Sequence, residues 1–466
     1  MSGNDGARDE QGGVGLRLLR LFSEVRKGEA GTALMLMATL FSLLLSYYLV
    51  KTLREPLVLA SAETDMQLLQ GWALPEWLKS VLRLQRGPQL RAAAAACQAL
   101  CLMGFVPLFA WLAGRVERFR LILLTSAFFF SCILLFWLSF YLGIPFVGFA
   151  FFVWVGIFSV AMVSLFWSFC NDLYSEEAGR RLFPLIGVGA SLGSPTGAAL
   201  ADELFAKQSS PSVIVAVAGV ALLLFVLAIM VVNARHQRQA QVQGERSRSS
   251  FALVLRSPYL RLIAVVILLL NTVNTTGEYI FSEYAVSAAK AAVARGEGTD
   301  VGNEIGRLYA DYYFWVNILS LLLQAFVVSR LVRFTGLNGV VLALPLVALG
   351  GYLLAAVGAG FLLIRIAKTA ENATDYSVMN TAKAMLWLPT SRAEKYNGKQ
   401  TVDTFFVRFG DLLSAVLVIV SSTWLGIGVQ GIAGANVALV LLWLGMSFLL
   451  LREVRRLVPS PAPATT

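Results

Sequence analysis

The sequence predicts an all-α membrane protein of about twelve transmembrane helices in two six-helix halves. Three observations carry that expectation. The 466 residues are 57% hydrophobic and the mean hydropathy is +0.70, far too apolar for a soluble chain of this length. Twelve segments are long enough to span a bilayer, which takes ~20 mostly apolar residues. The charges between those segments then alternate in the way membrane insertion demands.

The spans fall near 31–58, 91–114, 119–143, 146–172, 183–203, 211–233, 260–283, 308–332, 337–357, 361–388, 400–425 and 431–451. The fifth, seventh, tenth and eleventh are the least hydrophobic. The organisation expected is a cytoplasmic tail at 1–28, a first half at 29–233, a cytoplasmic linker at 234–257, a second half at 258–452 and a tail at 453–466. The first 13 residues are polar and Gly-rich, without the apolar core of a signal peptide. Residues 14–27 pattern as a short basic amphipathic helix lying on the inner leaflet or against the bundle. The linker is rich in Arg, Gln and Ser and is expected to be flexible.

The net charge of +10 does not point to nucleic acid, because its distribution explains it. With both termini inside, 24 Lys and Arg fall in cytoplasmic segments and eight outside, the positive-inside pattern of a bacterial inner-membrane protein. Six remain within or at the ends of spans: Lys51, Arg54, Arg365, Lys368, Lys383 and Arg408. The four cysteines lie in apolar stretches as small buried residues, and the single His236 sits in the basic linker. No P-loop, GxSxG, HExxH or CxxC is present, so neither an enzyme, a primary pump, a metal nor a cofactor is indicated.

Charge at bilayer depth costs at least ~2.5–3.5 kcal/mol per residue, so such residues normally face protein or a water-filled path. The tenth span carries Arg365, Lys368, Glu371, Asp375 and Lys383 within an arc of roughly 120°, with Asn372 among them. The seventh, LLLNTVNTTGEYIFSEY, gathers Asn271, Asn274, Thr275, Glu278 and Ser282 on a second polar face. The first runs through SYYLVKTLREPLVL, placing Lys51, Arg54 and Glu55 either in the outer bilayer facing a cavity or, if the helix stops near Val50, in the outer water. The eleventh carries Asp403, Thr404, Arg408 and Asp411 on a looser arc, mainly as structural partners of the tenth. Lys and Arg at this density suit an anionic substrate. Tyr279, Tyr312, Tyr313, Trp315 and Tyr376 nearby can stack on a flat ring. The fifth span holds Gly189, Gly193 and Gly197 at four-residue spacing, suited either to a moving interface between halves or to static packing.

These segments resemble a known family, the nucleotide (ATP/ADP) transporters of plastids and intracellular bacteria, which are major-facilitator-like. KTLREPLVL (51–59) is similar to the family's first-helix stretch, with Arg54 and Glu55 in the places of its Lys-acid pair. FWSFCNDLYSEEAGRRLFPLIGVGASLG (166–193) looks like its FWxxxN segment followed by an acid, a basic pair and an FxPLxG turn. Glu278 falls where the family has a seventh-helix Glu. YSVMNTAKAMLWLP followed by GKQTVD resembles its tenth-to-eleventh connection. The resemblance implies that Arg54, Glu177, Glu278 and Lys399, or Lys383 in place of Lys399, act in transport. Together with the polar faces, the substrate-binding set is Lys51, Arg54, Asn274, Glu278, Arg365, Lys368, Lys383 and Lys399. Glu177, Glu371, Asp375, Asp403 and Arg408 gate or balance charge. The activity expected is alternating-access exchange of a phosphorylated anion such as ATP or ADP by a monomer in the bilayer. Two alternatives stand beside it: a proton-coupled major facilitator for another organic anion, with Glu278 as proton carrier, and a non-transporting scaffold or enzyme subunit whose buried charges are structural.

Overall fold

A computed structural model describes residues 29–60, 87–144, 146–235, 251–391 and 394–457. The expected amphipathic helix at 14–27 and most of the expected linker lie outside these residues. The described residues are almost entirely helical, and nine stretches are long and apolar enough to cross a membrane. One of them, Val301–Ala356, is 56 residues long and reverses at Gly336 (φ 59°, ψ −151°), a left-handed conformation glycine adopts without penalty. It is therefore two spans. Two further helices fall outside those nine: one is rich in glycine and terminal charge, the other carries the ionic stripe. Counting them gives the twelve expected.

In chain order these are α1 (Ala30–Leu59), α2 (Gly87–Ala113), α3 (Arg118–Tyr141), α4 (Val147–Leu173), α5 (Glu176–Ala206) and α6 (Pro211–Arg235). A short helix, Phe251–Arg256, precedes α7 (Pro258–Ala294). Then come α8 (Val301–Leu322, continuing past a π turn at Leu323–Val327 to the Gly336 bend) and α9 (337–356). Next, α10 runs through Phe361–Thr374, a π turn at Asp375–Met379 and Asn380–Leu386. α11 runs from Lys399 to Trp424, with π turns at Val402–Phe406 and Val420–Trp424. α12 is Val429–Leu457. Helix starts carry the expected chemistry: the side chains of Ser175, Ser257 and Asp300 accept bonds from the backbone N–H of Ala178, Leu260 and Asn303.

α1 runs unbroken through Lys51, Arg54, Glu55 and Pro56. This decides where those charges sit: inside the helix and buried among neighbours, not in outer water.

The glycine ridge of α5 faces α1. A Cβ added at Gly193 would lie 2.5 Å from the backbone oxygen of Phe41, and one at Gly197 would lie 2.7 Å from that of Leu45. The carbonyl of Met37 closes on Gly189 in the same way. The ridge is thus static packing within the first half. The second half repeats the device once, where a Cβ at Gly410 of α11 would lie 2.7 Å from the oxygen of Leu268 on α7.

The halves meet mainly along two helix pairs, α5 with α8 and α2 with α11, with α1 also against α8. The six-helix repeat converts one pair into the other. We call the end where α1 begins and α12 finishes the terminal end. Bonds between the halves run from the middle of α1 to the opposite end. They include Tyr48 to Asn317 (3.0 Å), Gln89 to Ser422 (3.3 Å) and Gln208 to Thr299 (2.6 Å), with Asp202 and Arg307 3.7 Å apart.

Candidate functional site

Between the halves lies a cavity of about 290 Å³, lined among others by Lys51, Arg54, Arg91, Asn274, Glu278 and Tyr313. That volume is near the lower end for small-molecule sites. Lys51, Arg54, Arg91 and Glu278 stand at its wall, and behind them Glu55, Lys368 and Glu371 complete a network of four cations and three carboxylates.

The carboxylates are chained by the cations. Glu55, wholly buried on α1, accepts from Arg54 Nε at 3.0 Å and from Arg91 Nε at 2.6 Å. Tyr313 donates to it at 3.3 Å. Arg91 reaches on through Nη2 to Glu278 at 3.1 Å, so a guanidinium of α2 ties α1 to α7 across the halves. Glu278 also accepts from Asn372 Nδ2 at 3.0 Å and faces Lys368 Nζ at 3.6 Å. Lys368 donates to Asn274 Oδ1 at 2.8 Å and Glu371 at 3.1 Å, and Tyr352 donates to Glu371 at 2.7 Å. Every buried carboxylate therefore has at least one cation and one neutral donor. Burial without such partners costs several kcal/mol per ion.

Lys51 is different. It is 7% exposed, yet no carboxylate lies within ion-pair distance among the described residues. Its ammonium sits over four tyrosine rings instead, with centroids 4.2 Å away for Tyr313, 4.8 Å for Tyr48, 5.7 Å for Tyr47 and 5.9 Å for Tyr376. Such faces attract a cation without neutralising it, each by roughly 0.5–2 kcal/mol. Arg54 is half engaged: its guanidinium packs 4.4 Å above the Phe152 ring and spends only Nε on Glu55. Among the described residues, Lys51 and the outer nitrogens of Arg54 are the cationic groups of the wall without a carboxylate partner.

The structure brings Lys51, Arg54, Asn274, Glu278, Lys368 and Glu371 together as the polar faces suggested. Arg408 reaches the same cavity, paired with Asp411 at 3.0 Å, while Asp411 also accepts from Thr275 at 2.8 Å. Five other residues stand apart, nearer the terminal end. Lys383 pairs with Asp375 at 3.3 Å, and Asp403 lies within electrostatic reach of Lys383 and the exposed Lys399. Glu177 is exposed at the start of α5. Arg365 is not in the cavity. It pairs with Asp311 at 2.8 Å in a separate apolar groove between α8 and α10, beside Trp315, Leu362 and Ile366.

Arg91 is the residue missed. Sequence reasoning counted it among the outer charges because it stood at the first position of the second span. The helix in fact begins at Gly87 and buries Arg91 to 5% exposure. Tyr352, which satisfies Glu371, is likewise visible only once the helices are assembled, whereas Asn372, which satisfies Glu278, already lay on the polar arc of the tenth span.

No family model matches the chain. Curated relatives do. ADP,ATP carrier protein 1 of Chlamydia pneumoniae is 22% identical over 311 residues, covering 56% of this chain and 58% of that protein. Its namesake in Chlamydia trachomatis is 22% identical over 342 residues, covering 61% of each. Among solved structures, an auto-inhibited POT family peptide transporter superposes with a TM-score of 0.61 at 11% identity over 92% of this chain and 99% of that one. A bacterial homolog of the human lysosomal transporter Spinster gives 0.59 at 13% over 94% and 100%. The nucleoside transporter NupG gives 0.57 at 12% over 88% and 98%. The chain is a distant relative of the ADP,ATP carriers with a major-facilitator-like fold. The match spans about three fifths of those carriers' length. Likeness to the solved transporters speaks for the fold alone, since their identity to this carrier relative is so low.

Proposed function

We propose that this carrier relative exchanges a phosphorylated anion, most simply a nucleotide such as ATP against ADP, by alternating access. The observation that carries this reading is the Lys51 ammonium, buried between the halves with no carboxylate within ion-pair distance among the described residues. A phosphate placed there takes a point charge from Lys51 and a planar fork from Arg54. Tyr313 and Tyr376, already at the cavity wall, offer ring faces to a base. The protein acts as a monomer in a bacterial inner membrane with both termini cytoplasmic. The packed opposite end then faces outward, and the cavity loads from the cytoplasm.

The experiment is uptake of labelled ATP by proteoliposomes containing purified protein. Exchange requires uptake to rise with internal ADP and to persist when the proton gradient is collapsed. Uptake that vanishes with the gradient favours the proton-coupled alternative. Absence of any nucleotide-induced thermal stabilisation removes the proposal. The contacts of Glu278 with Arg91, Lys368 and Asn372 favour a fixed anion there over a proton carrier.

A further inference from the structure

Behind the cavity, the Lys368 ammonium sits in a cage of oxygens from three helices. Asn274 Oδ1 lies at 2.8 Å, Glu371 Oε1 at 3.1 Å, the Asn274 carbonyl at 3.4 Å, the Tyr352 hydroxyl at 3.4 Å and Glu278 Oε1 at 3.6 Å. An all-oxygen shell mixing carboxylate, amide, carbonyl and hydroxyl donors is the coordination a hard cation takes. Here a side chain fills it.

Three features mark the cage as built. Gly277 leaves it room, because a Cβ there would overlap the Tyr352 hydroxyl and lie 2.9 Å from Lys368 Nζ. Asn372 and Asn436, whose Nδ2 groups bond Glu278 at 3.0 Å and the Val273 carbonyl at 3.2 Å, keep their Oδ1 atoms buried and without a donor. A void of about 10 Å³, the room of about one water, touches Gly277, Tyr352, Lys368 and Glu371.

We propose that Lys368 is a tethered substitute for a free monovalent cation, and that the oxygen cage around it is a latent alkali-ion site. Oxygens at 2.8–3.6 Å stand too far out for the ~2.0–2.1 Å shell of Mg²⁺ or the 2.3–2.6 Å shell of Ca²⁺. They suit an ion about the size of ammonium, such as K⁺. One positive charge is enough, because Glu278 is also held by Arg91 at 3.1 Å, leaving Glu371 as the carboxylate that depends on the cage. The wild-type protein carries its own counter-cation and therefore needs no inorganic cation to assemble the site.

The test compares melting of purified wild type, Lys368→Ala and Lys368→Met in KCl, NaCl and choline chloride at equal ionic strength. Lys368→Ala empties the cage. It is expected to melt several degrees higher in KCl than in choline, saturably, with NaCl between them, as mass action requires of a bound ion. Lys368→Met fills the cage with an apolar chain and is expected to melt alike in all three salts, as is wild type. Equal melting of Lys368→Ala in the three salts overturns the proposal. If that variant does not fold, wild-type melting decides: equal melting in the three salts supports the tethered cation, and melting that rises with K⁺ or Na⁺ overturns it. The melting arms need no substrate, so failure of the nucleotide reading and failure of this one are distinguishable.

Discussion

Replacing Arg91 with methionine isolates the ion chain between the halves. Methionine keeps most of the stem's volume, so the change is chiefly electrostatic. Two contacts disappear, at 2.6 Å to Glu55 and 3.1 Å to Glu278. Breaking a buried pair from one side costs about 3–5 kcal/mol, mostly from the charge left behind. Here both orphaned carboxylates keep a cation: Glu55 retains Arg54 at 3.0 Å, and Glu278 retains Lys368 at 3.6 Å. The expected loss therefore falls at the low end, about 3 kcal/mol, a factor of roughly 150 in the unfolding equilibrium. The assay is denaturant unfolding in detergent of Arg91→Met, Glu55→Gln and the double variant. Glu55→Gln removes the acid that depends most on Arg91, so the double variant should recover part of the loss, about 1–2 kcal/mol. A single variant as stable as wild type, or a double variant showing simple additivity, would refute the claim that Arg91 neutralises Glu55.

Lys51→Met should fold like wild type, since it leaves no carboxylate unpaired, while nucleotide affinity by thermal shift falls about 10–100-fold, the 1.5–3 kcal/mol typical of a charge-assisted bond. Arg365→Ala should leave nucleotide-induced stabilisation intact, because its partner Asp311 and its groove lie apart from the cavity; loss of binding would return it to the site. Gly193→Ala should destabilise by about 1–3 kcal/mol through overpacking against the α1 backbone. Gly187→Ala on the same helix meets nothing within 4 Å and should change stability little, both measured by melting in detergent.

The spans were legible because each is a run of apolar residues, and even the two outside the nine long apolar stretches show their reason in sequence. The polar faces of α7 and α10 were legible because helical periodicity brings Asn274 beside Glu278, and Lys368 beside Glu371. The α10 stripe broke at its edges for two physical reasons. An arc of roughly 120° is wider than the cavity wall, so Arg365 falls into the neighbouring groove. Farther on, the π turn at Asp375–Met379 adds a residue to one turn and rotates the remainder of α10, so a plain helical wheel misplaces Lys383. Arg91 was illegible for a third reason: both its acids come from other helices, and no periodicity within α2 announces them. The glycine ridge showed its spacing in sequence but not which helix would lie against it.

The tyrosines around Lys51 have divided ownership. Tyr47 and Tyr48 ride on its own helix, while Tyr313 and Tyr376 belong to α8 and α10. Any rotation that parts the halves at the packed end strips two of the four rings from the ammonium and lets water reach it. A hydrated lysine grips a phosphate far less firmly than a dry one. Under the proposed exchange, the same side chain then holds its cargo in one posture and lets go in the other, with no need to change its own charge.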